Sequence, residues 1–373
     1  MRLTNIFNLG IKEFRSLMRD PIMLVLIAYA FTAAIYSAAA ALPETLKNAS
    51  IGIVDEDRSA LSARIVSAFY PPYFNTPTLI TPAEMDSQLD DGSITFALDI
   101  PPNFQRDILA GRHPAIQLNV DATRVSQAFT GAGYIQTIVA TEVATFVQRY
   151  RAQPAPPVDL ALRMRFNPTS NKSWFGAVVE VINQVTLLSI ILTGAALIRE
   201  REHGTIEHLL VMPVTPFEIM VSKIWAMAVV VTAATAIALF AVVQGLLGVP
   251  IQGSVTLFLA GTLMNLFSTT ALGILLATVT RSMPQFALLT ILVIMPLEIL
   301  SGGSTPRESM PQIVQNIMLM APTTHFVMLA QAILFRGAGF SVVWPQFLAL
   351  GAIGALLFSI ALFRFRKTIG EFG

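Results

Sequence analysis

The residues of this chain that could do chemistry are concentrated in one polar segment, 199–223, between two long apolar runs. Two histidines and three glutamates lie close together there, and such residues could bind a metal ion: His203, His208, Glu200, Glu202 and Glu207. The histidines are five residues apart, whereas a zinc-binding helix places its pair at i and i+4, on one face. We therefore predict a charged turn and no metal site.

Other catalytic chemistry finds little support in the residue types present. The chain has no cysteine, which excludes disulfides, thiolate metal sites and cysteine nucleophiles. The sequence contains no phosphate-binding loop of the form G-x-x-x-x-G-K-[ST], and nothing in it suggests a nucleophile with a neighbouring base. It also lacks a basic patch interleaved with aromatic residues, so no nucleic-acid partner is expected. We predict a protein that is not an enzyme and holds no cofactor of its own.

Composition indicates a membrane protein. Charged residues make up 13% of the chain and apolar residues 54%, whereas soluble domains carry about 25% charged residues. Six apolar runs are long enough to cross a bilayer: 21–42, 174–198, 224–247, 255–280, 283–300 and 345–363. Lysine and arginine cluster at the flanks that share one side, which the positive-inside rule makes cytoplasmic. We predict a multi-pass membrane protein with both termini in the cytoplasm, including a tail over 364–373.

Residues 1–20 have the pattern of an amphipathic helix. Apolar side chains recur on one face at helical spacing, while Lys12, Arg15 and Arg19 share the opposite face. Such a helix lies in the membrane interface, with its cations near anionic lipid headgroups. We predict a cytoplasmic interface helix here, and packing on protein alone remains the alternative.

Two further regions lie outside the predicted spans. Short β-type runs alternate with helical stretches over 43–173, which is typical of a small α/β domain. Residues 301–340 are too apolar for an ordinary loop and predict two short external helices that dip into the outer leaflet without crossing it. The fold class is therefore a polytopic α-helical membrane protein of six spans with an inserted α/β domain on the periplasmic side.

The polar segment itself predicts one short helix. Gly204 permits a sharp turn, Thr205 can cap a helix, and Pro213 ends it. Ile206, Leu209 and Leu210 give that helix an apolar face with no membrane to bury it, and such a face docks into a groove on a partner. A solvated turn between two spans is an equally good interpretation of the residues alone.

The order of residues in this segment resembles a pattern in the permease subunits of ABC-2-type ATP-binding-cassette exporters. From Arg199 it runs Arg-Glu-Arg-Glu-x-Gly-Thr-x-Glu-x-Leu-Leu, followed by Pro, Glu and Lys. A second stretch from Ser301, Ser-Gly-Gly-Ser-Thr-Pro-Arg-Glu-Ser-Met-Pro, is also similar to this family, as is Pro-Thr-Thr-His-Phe from Pro322. The likeness covers essentially the whole chain and points to bacterial inner-membrane permeases with a large periplasmic insertion. Many family members lack that insertion, which limits what their substrates imply here.

The resemblance implies a dimer of six-span subunits of the type V exporter kind, either a homodimer or a pair with a paralogue. It implies a coupling helix that begins near Thr205 and includes Glu207, Leu209 and Leu210, with Glu200 and Glu202 bracing the loop. A separate ABC ATPase subunit, which binds ATP and Mg²⁺, would drive that helix. A periplasmic membrane-fusion adaptor is a further implied partner.

Polar residues within the spans are candidates for a translocation path, because ionisable groups in a membrane are functional by default. We select Glu298, Asn265 and Gln184, although the amides could equally hold helices together. The scarcity of charge in the spans favours an amphipathic or hydrophobic substrate, drug-like or lipid-like. A membrane sensor with a periplasmic ligand domain is an alternative. A secondary carrier is another, although it would want several buried carboxylates.

Overall fold

The structure is a computed structural model that describes residues 2–41, 46, 48–121, 125–150, 172–202, 204 and 213–370. Its contacts divide the chain into two compact units. One comprises Met1–Leu42 with Arg165–Gly373, and the other Pro43–Met164. The predicted insertion, 43–173, runs past the second unit, because the helix that starts at Lys172 belongs to the first.

The first unit is helical. Its helices are α1 (Leu3–Met18), α2 (Pro21–Tyr29), α3 (Ile35–Ala41), α8 (Lys172–Glu202), α9 (Pro216–Ile237), α10 (Val255–Val279), α11 (Met283–Ile299), α12 (Gln312–Met318), α13 (Pro322–Leu334) and α14 (Phe340–Gly370). A π-helical stretch, Ala30–Ala34, joins α2 to α3, and another, Ala238–Leu246, extends α9.

Five of these helical segments are long and apolar enough to cross a membrane: Pro21–Ala40, Ser173–Glu202, Pro216–Leu246, Val255–Val279 and Phe340–Lys367. Helices α12 and α13 meet at a bend of 90°, and this pair would add a sixth if it counted as one span. The predicted span 283–300 is α11, which has 17 residues and is therefore about 25 Å long. This is shorter than a hydrocarbon core of about 30 Å, so the count of six spans stays a prediction.

Two helices extend beyond the spans predicted for them. Helix α9 begins at Pro216 rather than 224, because Thr215 caps it and accepts a hydrogen bond from the Glu218 N–H, while the Glu218 carboxylate accepts one from the Thr215 N–H. This capping box, with proline at the first helical position, is a strong helix start. The predicted tail, 364–373, is helical as far as Gly370 because α14 continues into it.

Helix α10 lies at the centre of the first unit and approaches α8 closely. A Cβ added to Gly273 on α10 would lie 2.7 Å from the Ile190 carbonyl oxygen, so only glycine permits this approach. The Ser189 hydroxyl on α8 donates to the Thr269 hydroxyl on α10 at 2.6 Å. Small residues and hydroxyl pairs are the usual means of joining helices in a membrane.

The second unit contains a four-stranded sheet in the order β2-β1-β3-β4: β1 (Ile51–Asp55), β2 (Thr78–Leu79), β3 (Phe96–Ile100) and β4 (Gln117–Val120). Strand β1 is parallel to β2 and β3, while β4 is antiparallel to β3. Between and after the strands lie α4 (Ala60–Ser67), α5 (Pro82–Asp90), α6 (Phe104–Leu109) and α7 (Val125–Tyr150). Phe74, Phe96 and Phe104 are fully buried in its core.

Candidate functional site

A group of four charged side chains, of which Glu13 and Lys223 are buried, joins three helices of the first unit at the two ends of the polar segment 199–223, which we call the coupling segment. The Lys223 Nζ on α9 lies 2.7 Å from Glu200 Oε2 on α8 and 3.0 Å from Glu13 Oε1 on α1. The Lys12 Nζ on α1 lies 2.7 Å from Glu200 Oε1. Only 2% of the Lys223 side chain is exposed. We call Lys12, Glu13, Glu200 and Lys223 the charge cluster; its two cations and two anions balance.

The charge cluster adds a contact to the predicted interface residue Lys12. This side chain is half-exposed and pairs with Glu200, while Arg15 and Arg19 are exposed, and the interface role of all three stays a prediction. Lys12 reaches Glu200 because α1 turns Glu13 inward, toward Lys223. Sequence reasoning missed Glu13 because it stands alone among the residues that α1 buries, which are otherwise apolar or glycine.

Helix α1 is also packed directly on α9. The Trp225 indole N–H donates to the Ile6 carbonyl oxygen at 3.1 Å, and its ring stacks on Phe7. Gly10 lies directly against the same indole ring, where a Cβ would collide with it. On the outer face of α1, four apolar side chains remain exposed: Leu3, Phe7, Phe14 and Met18. Such a face suits the boundary between headgroups and acyl chains.

Both ends of the coupling segment are anchored by hydrogen bonds. At its start, the Arg199 guanidinium pairs with Asp20 Oδ2 at 2.7 Å, and Arg201 donates to the Thr280 carbonyl oxygen at 2.8 Å. Glu202 Oε1 accepts from the Met283 N–H at 2.8 Å, which satisfies one of the free donors at the start of α11.

The end of the segment is tied to α1. The Arg2 N–H donates to Glu218 Oε1 at 2.8 Å, and Asn5 Nδ2 donates to the Pro213 carbonyl oxygen at 3.3 Å. Together with the anchors at the start, these contacts hold α1, α8, α9 and the beginning of α11 around one short stretch of chain.

The predicted coupling residues divide between described and undescribed positions. Thr205, Ile206, Glu207, Leu209 and Leu210 lie outside the described residues, as do both histidines. Gly204 is exposed and has a φ of +68°, the left-handed conformation that glycine adopts at no steric cost. Pro213 is exposed, while Glu200 and Glu202 make the contacts given above. In the part of the chain that the structure describes, no group of three or more potential metal ligands occurs.

A second candidate site is an apolar groove along α11. Side chains from α2, α8 and α11 line a cavity of about 340 Å³. Two of its polar groups are buried without a hydrogen-bond partner among the described residues, namely Thr290 Oγ1 and Glu298 Oε1. The other lining residues are apolar: Met23, Leu187, Ile191, Ala195, Met283, Phe286, Ala287, Ile291, Ile294 and Met295. We call this the α11 groove.

The predicted path residues do not share one cavity. Glu298 lines the α11 groove, and Glu180 lies on α8, the helix that lines the same groove through Leu187, Ile191 and Ala195. Gln184 Nε2 donates to Glu180 Oε1 at 2.5 Å, one turn further along α8. Asn265 is fully buried in α10 and is not among the residues that line the groove. The structure thus associates Glu298 with Glu180 and separates both from Asn265.

Comparisons with known proteins agree with this architecture. A family model described as ABC-2 family transporter protein matches residues 21–363. The inner membrane transport permease YhhJ of Escherichia coli (strain K12) is 62% identical over 368 residues, which cover 99% of this chain and 98% of that protein. Two other proteins of that strain are more distant.

The probable multidrug ABC transporter permease YbhR is 28% identical over 364 residues, 96% of this chain and 97% of its own. The probable multidrug ABC transporter permease YbhS is 24% identical over 335 residues, 88% of each chain.

The apolar helices and these similarities define a multi-pass transporter subunit of the inner membrane. The chain belongs to the ABC-2 family of transporters. It is a permease subunit and not the ATPase, and an ABC ATPase is the partner that the family implies. The family resemblance predicted from the sequence is confirmed. Membership of an ABC transporter family disfavours the two alternatives, a membrane sensor and a secondary carrier.

Proposed function

We propose that this protein is the membrane half of an ATP-driven exporter that moves an amphipathic or hydrophobic substrate out of the cytoplasm. Two relatives carry the name multidrug ABC transporter permease, which supports efflux of such molecules. The apolar α11 groove supports the same substrate class, since almost its whole lining is hydrocarbon. The groove and Glu298 would form part of the path. Gln184 bonds Glu180 within α8, and Asn265 is buried in α10 away from the groove, so both amides would lie off that path.

The observation that carries this proposal is the anchoring of the coupling segment at both ends. Buried ion pairs join α1, α8 and α9 through the charge cluster. A displacement of the segment by a partner would therefore move three helices together instead of bending one loop. Residues 205–212 would act as the coupling helix, and ATP and Mg²⁺ would bind to the partner ATPase.

The orientation that we propose follows from the distribution of cations. Both termini and the charge cluster would face the cytoplasm, and the α/β unit would face the periplasm. Two permease subunits, identical or paralogous, would enclose the substrate path. A periplasmic membrane-fusion adaptor is the partner that the α/β unit would suit.

The coupling role can be tested with the double variant Leu209→Asp and Leu210→Asp. Burial of a leucine in a partner's groove contributes roughly 1.5–3 kcal/mol, and a new carboxylate there adds a desolvation cost. We expect the ATPase to be lost from the purified complex, with substrate-stimulated ATP hydrolysis reduced to the rate of the isolated motor.

The matched control is Leu209→Met with Leu210→Met, which keeps the apolar surface and should retain the ATPase. Membrane insertion of both variants is checked by their yield in the membrane fraction. If the aspartate variant keeps its ATPase and its export activity, the segment is only a solvated turn.

A further inference from the structure

The α11 groove combines a long hydrocarbon wall with an acidic end. Its lining follows α11 from Met283 to Glu298, a distance of about 22 Å along the helix axis. Helix α8 lines the groove beside it, and the end of α8 meets the start of α11, where the Met283 N–H donates to Glu202. The earlier part of α8, which carries Glu180, therefore lies toward the Glu298 end of the groove.

No cation balances these carboxylates in the described part of the chain. Glu298 makes no ion pair there, and its Oε1 atom is buried without a hydrogen-bond partner. Among the described residues, the Glu180 carboxylate is bonded by the neutral amide of Gln184 alone. A carboxylate removed from water without a partner is costly, and this cost is relieved either by a proton or by a bound cation.

A second polar group in the groove also lacks a partner. Thr290 is only 3% exposed, and its hydroxyl makes no hydrogen bond within the described residues. In other helices of this unit threonine hydroxyls donate to a carbonyl oxygen one turn earlier, as Thr262 and Thr269 do. Thr290 lies about 12 Å from Glu298 along the axis, so a ligand seated against the wall could reach both.

We propose that the α11 groove binds amphipathic cations, with the apolar body along α11 and the positive charge at Glu298. This inference rests on the proposed export function and assigns its substrate charge. Charge complementarity distinguishes this occupant from the alternatives. A lipid tail would cover hydrocarbon but would leave both carboxylates without a cation, and a second copy of the chain is tested separately below.

The test is a binding measurement on the full chain in nanodiscs, without the ATPase. Radiolabelled tetraphenylphosphonium is the probe, with empty nanodiscs subtracted. Triphenylphosphine oxide serves as a neutral competitor of similar shape, and tetraphenylborate as an anionic one. We expect Glu298→Gln to weaken tetraphenylphosphonium binding by about tenfold or more, with little change for the neutral compound. Glu298→Asp should keep most of the preference for the cation.

Two tryptophan variants locate the site. Ala287→Trp fills the groove and should abolish binding of the cation and the neutral compound alike. Leu288→Trp, the neighbouring residue, is 71% exposed and does not line the groove, so it should bind as the wild type does. Melting temperatures of all variants show whether each one is folded.

Three outcomes would overturn the proposal. If Glu298→Gln weakened the binding of the cationic and the neutral probe equally, the groove would recognise the shape of its ligand and not its charge. Wild-type binding no greater than that of empty nanodiscs would mean that lipid occupies the groove. Dissociation of a dimer by Ala287→Trp, with cation binding unchanged, would mean that a second copy covers it. Because the assay needs no ATPase, its result is independent of whether the coupling experiment supports export.

Discussion

The two ends of helix α8 present opposite electrostatic situations. Glu200 at one end contacts two lysines and helps to join α1, α8 and α9. Glu180, about 30 Å away along the helix, lies at the end of the groove where Glu298 has no cation partner among the described residues. The residue type is the same, and the surroundings differ.

The difference teaches how charge can serve two purposes in a protein that has little of it. A buried ion pair is not in itself a strong source of stability, but removal of one partner is severe. The charge cluster therefore specifies which helix ends stay together. An acid without a cation does not hold helices to one another, and it leaves a position for a charge that comes from outside the chain.

The largest expected effect concerns the side of the membrane on which each end of α8 lies. The chain has no cysteine, so single substitutions can be labelled without interference. We expect Ser304→Cys, six residues beyond Glu298, to react with an impermeant maleimide in intact spheroplasts, as should Ser87→Cys in the α/β unit. Ser16→Cys on α1 should react only after permeabilisation. All three serines are exposed. Labelling of Ser16→Cys in intact spheroplasts would reverse the orientation and contradict export.

The next effect concerns the charge cluster itself. Lys223→Met leaves Glu13 and Glu200 without the cation that they share. Removal of one partner from a buried ion pair lowers the free energy of unfolding by about 3–5 kcal/mol. We expect a large fall in the melting temperature of the purified permease. Lys12→Met is the matched control: its side chain is 49% exposed, so the loss should be about 1 kcal/mol or less.

A double variant separates charge from packing at the same position. Glu200→Gln combined with Lys223→Met should be less destabilised than the two single losses added together. One of the two carboxylates is then gone, and Lys12 remains 3.6 Å from the other, Glu13. If the two losses simply add, Lys223 stabilises the helices through the contacts of its methylene chain and not through its charge.

Much of the membrane unit could be predicted from the sequence, since long apolar runs have few alternatives to helices. The start of α9 could also be predicted, because Thr-Pro-Phe-Glu over 215–218 places a cap, a proline and a capping glutamate in order. Hydropathy alone starts the span later, at 224, because Glu218 and Lys223 interrupt the apolar run. It therefore predicts a loop at Lys223, which is a buried helical residue.

The charge cluster could not be predicted from one sequence. Lys223 and Glu13 are 210 positions apart, and their contact depends on how α1 packs against α9. The rotation of α1 is set by Gly10, which admits the Trp225 ring, and nothing in the local pattern of either residue indicates the other. Glu298 was predicted as an unusual acid, but the absence of a neighbouring cation required the folded chain.

The smallest effect lies at the pair that joins α8 to the start of α2. Asp20 Oδ1 accepts from the Met23 N–H at 3.2 Å, and its other oxygen pairs with Arg199. Burial acts to raise the pKa of Asp20, but the Met23 N–H and the Arg199 guanidinium outweigh it and hold that pKa below its ordinary value. A depressed pKa means that this pair contributes stability above the ordinary aspartate range, about pH 4. The contribution is lost as the pH falls through the lowered pKa.

Asp20→Asn isolates this contribution, because asparagine still caps α2 while losing the charge that faces Arg199. The Arg199 side chain is 37% exposed, so screening by water limits the loss at pH 7 to about 0.5–1 kcal/mol. We expect the difference in melting temperature between variant and wild type to shrink in high salt. It should vanish when the pH is lowered below the pKa of Asp20, where the wild-type carboxyl is also neutral. A difference that persists in acid would mean that the carboxylate acts through its shape and its cap alone. In that case only the buried charge cluster, and not this outer pair, would hold the helix ends together by charge.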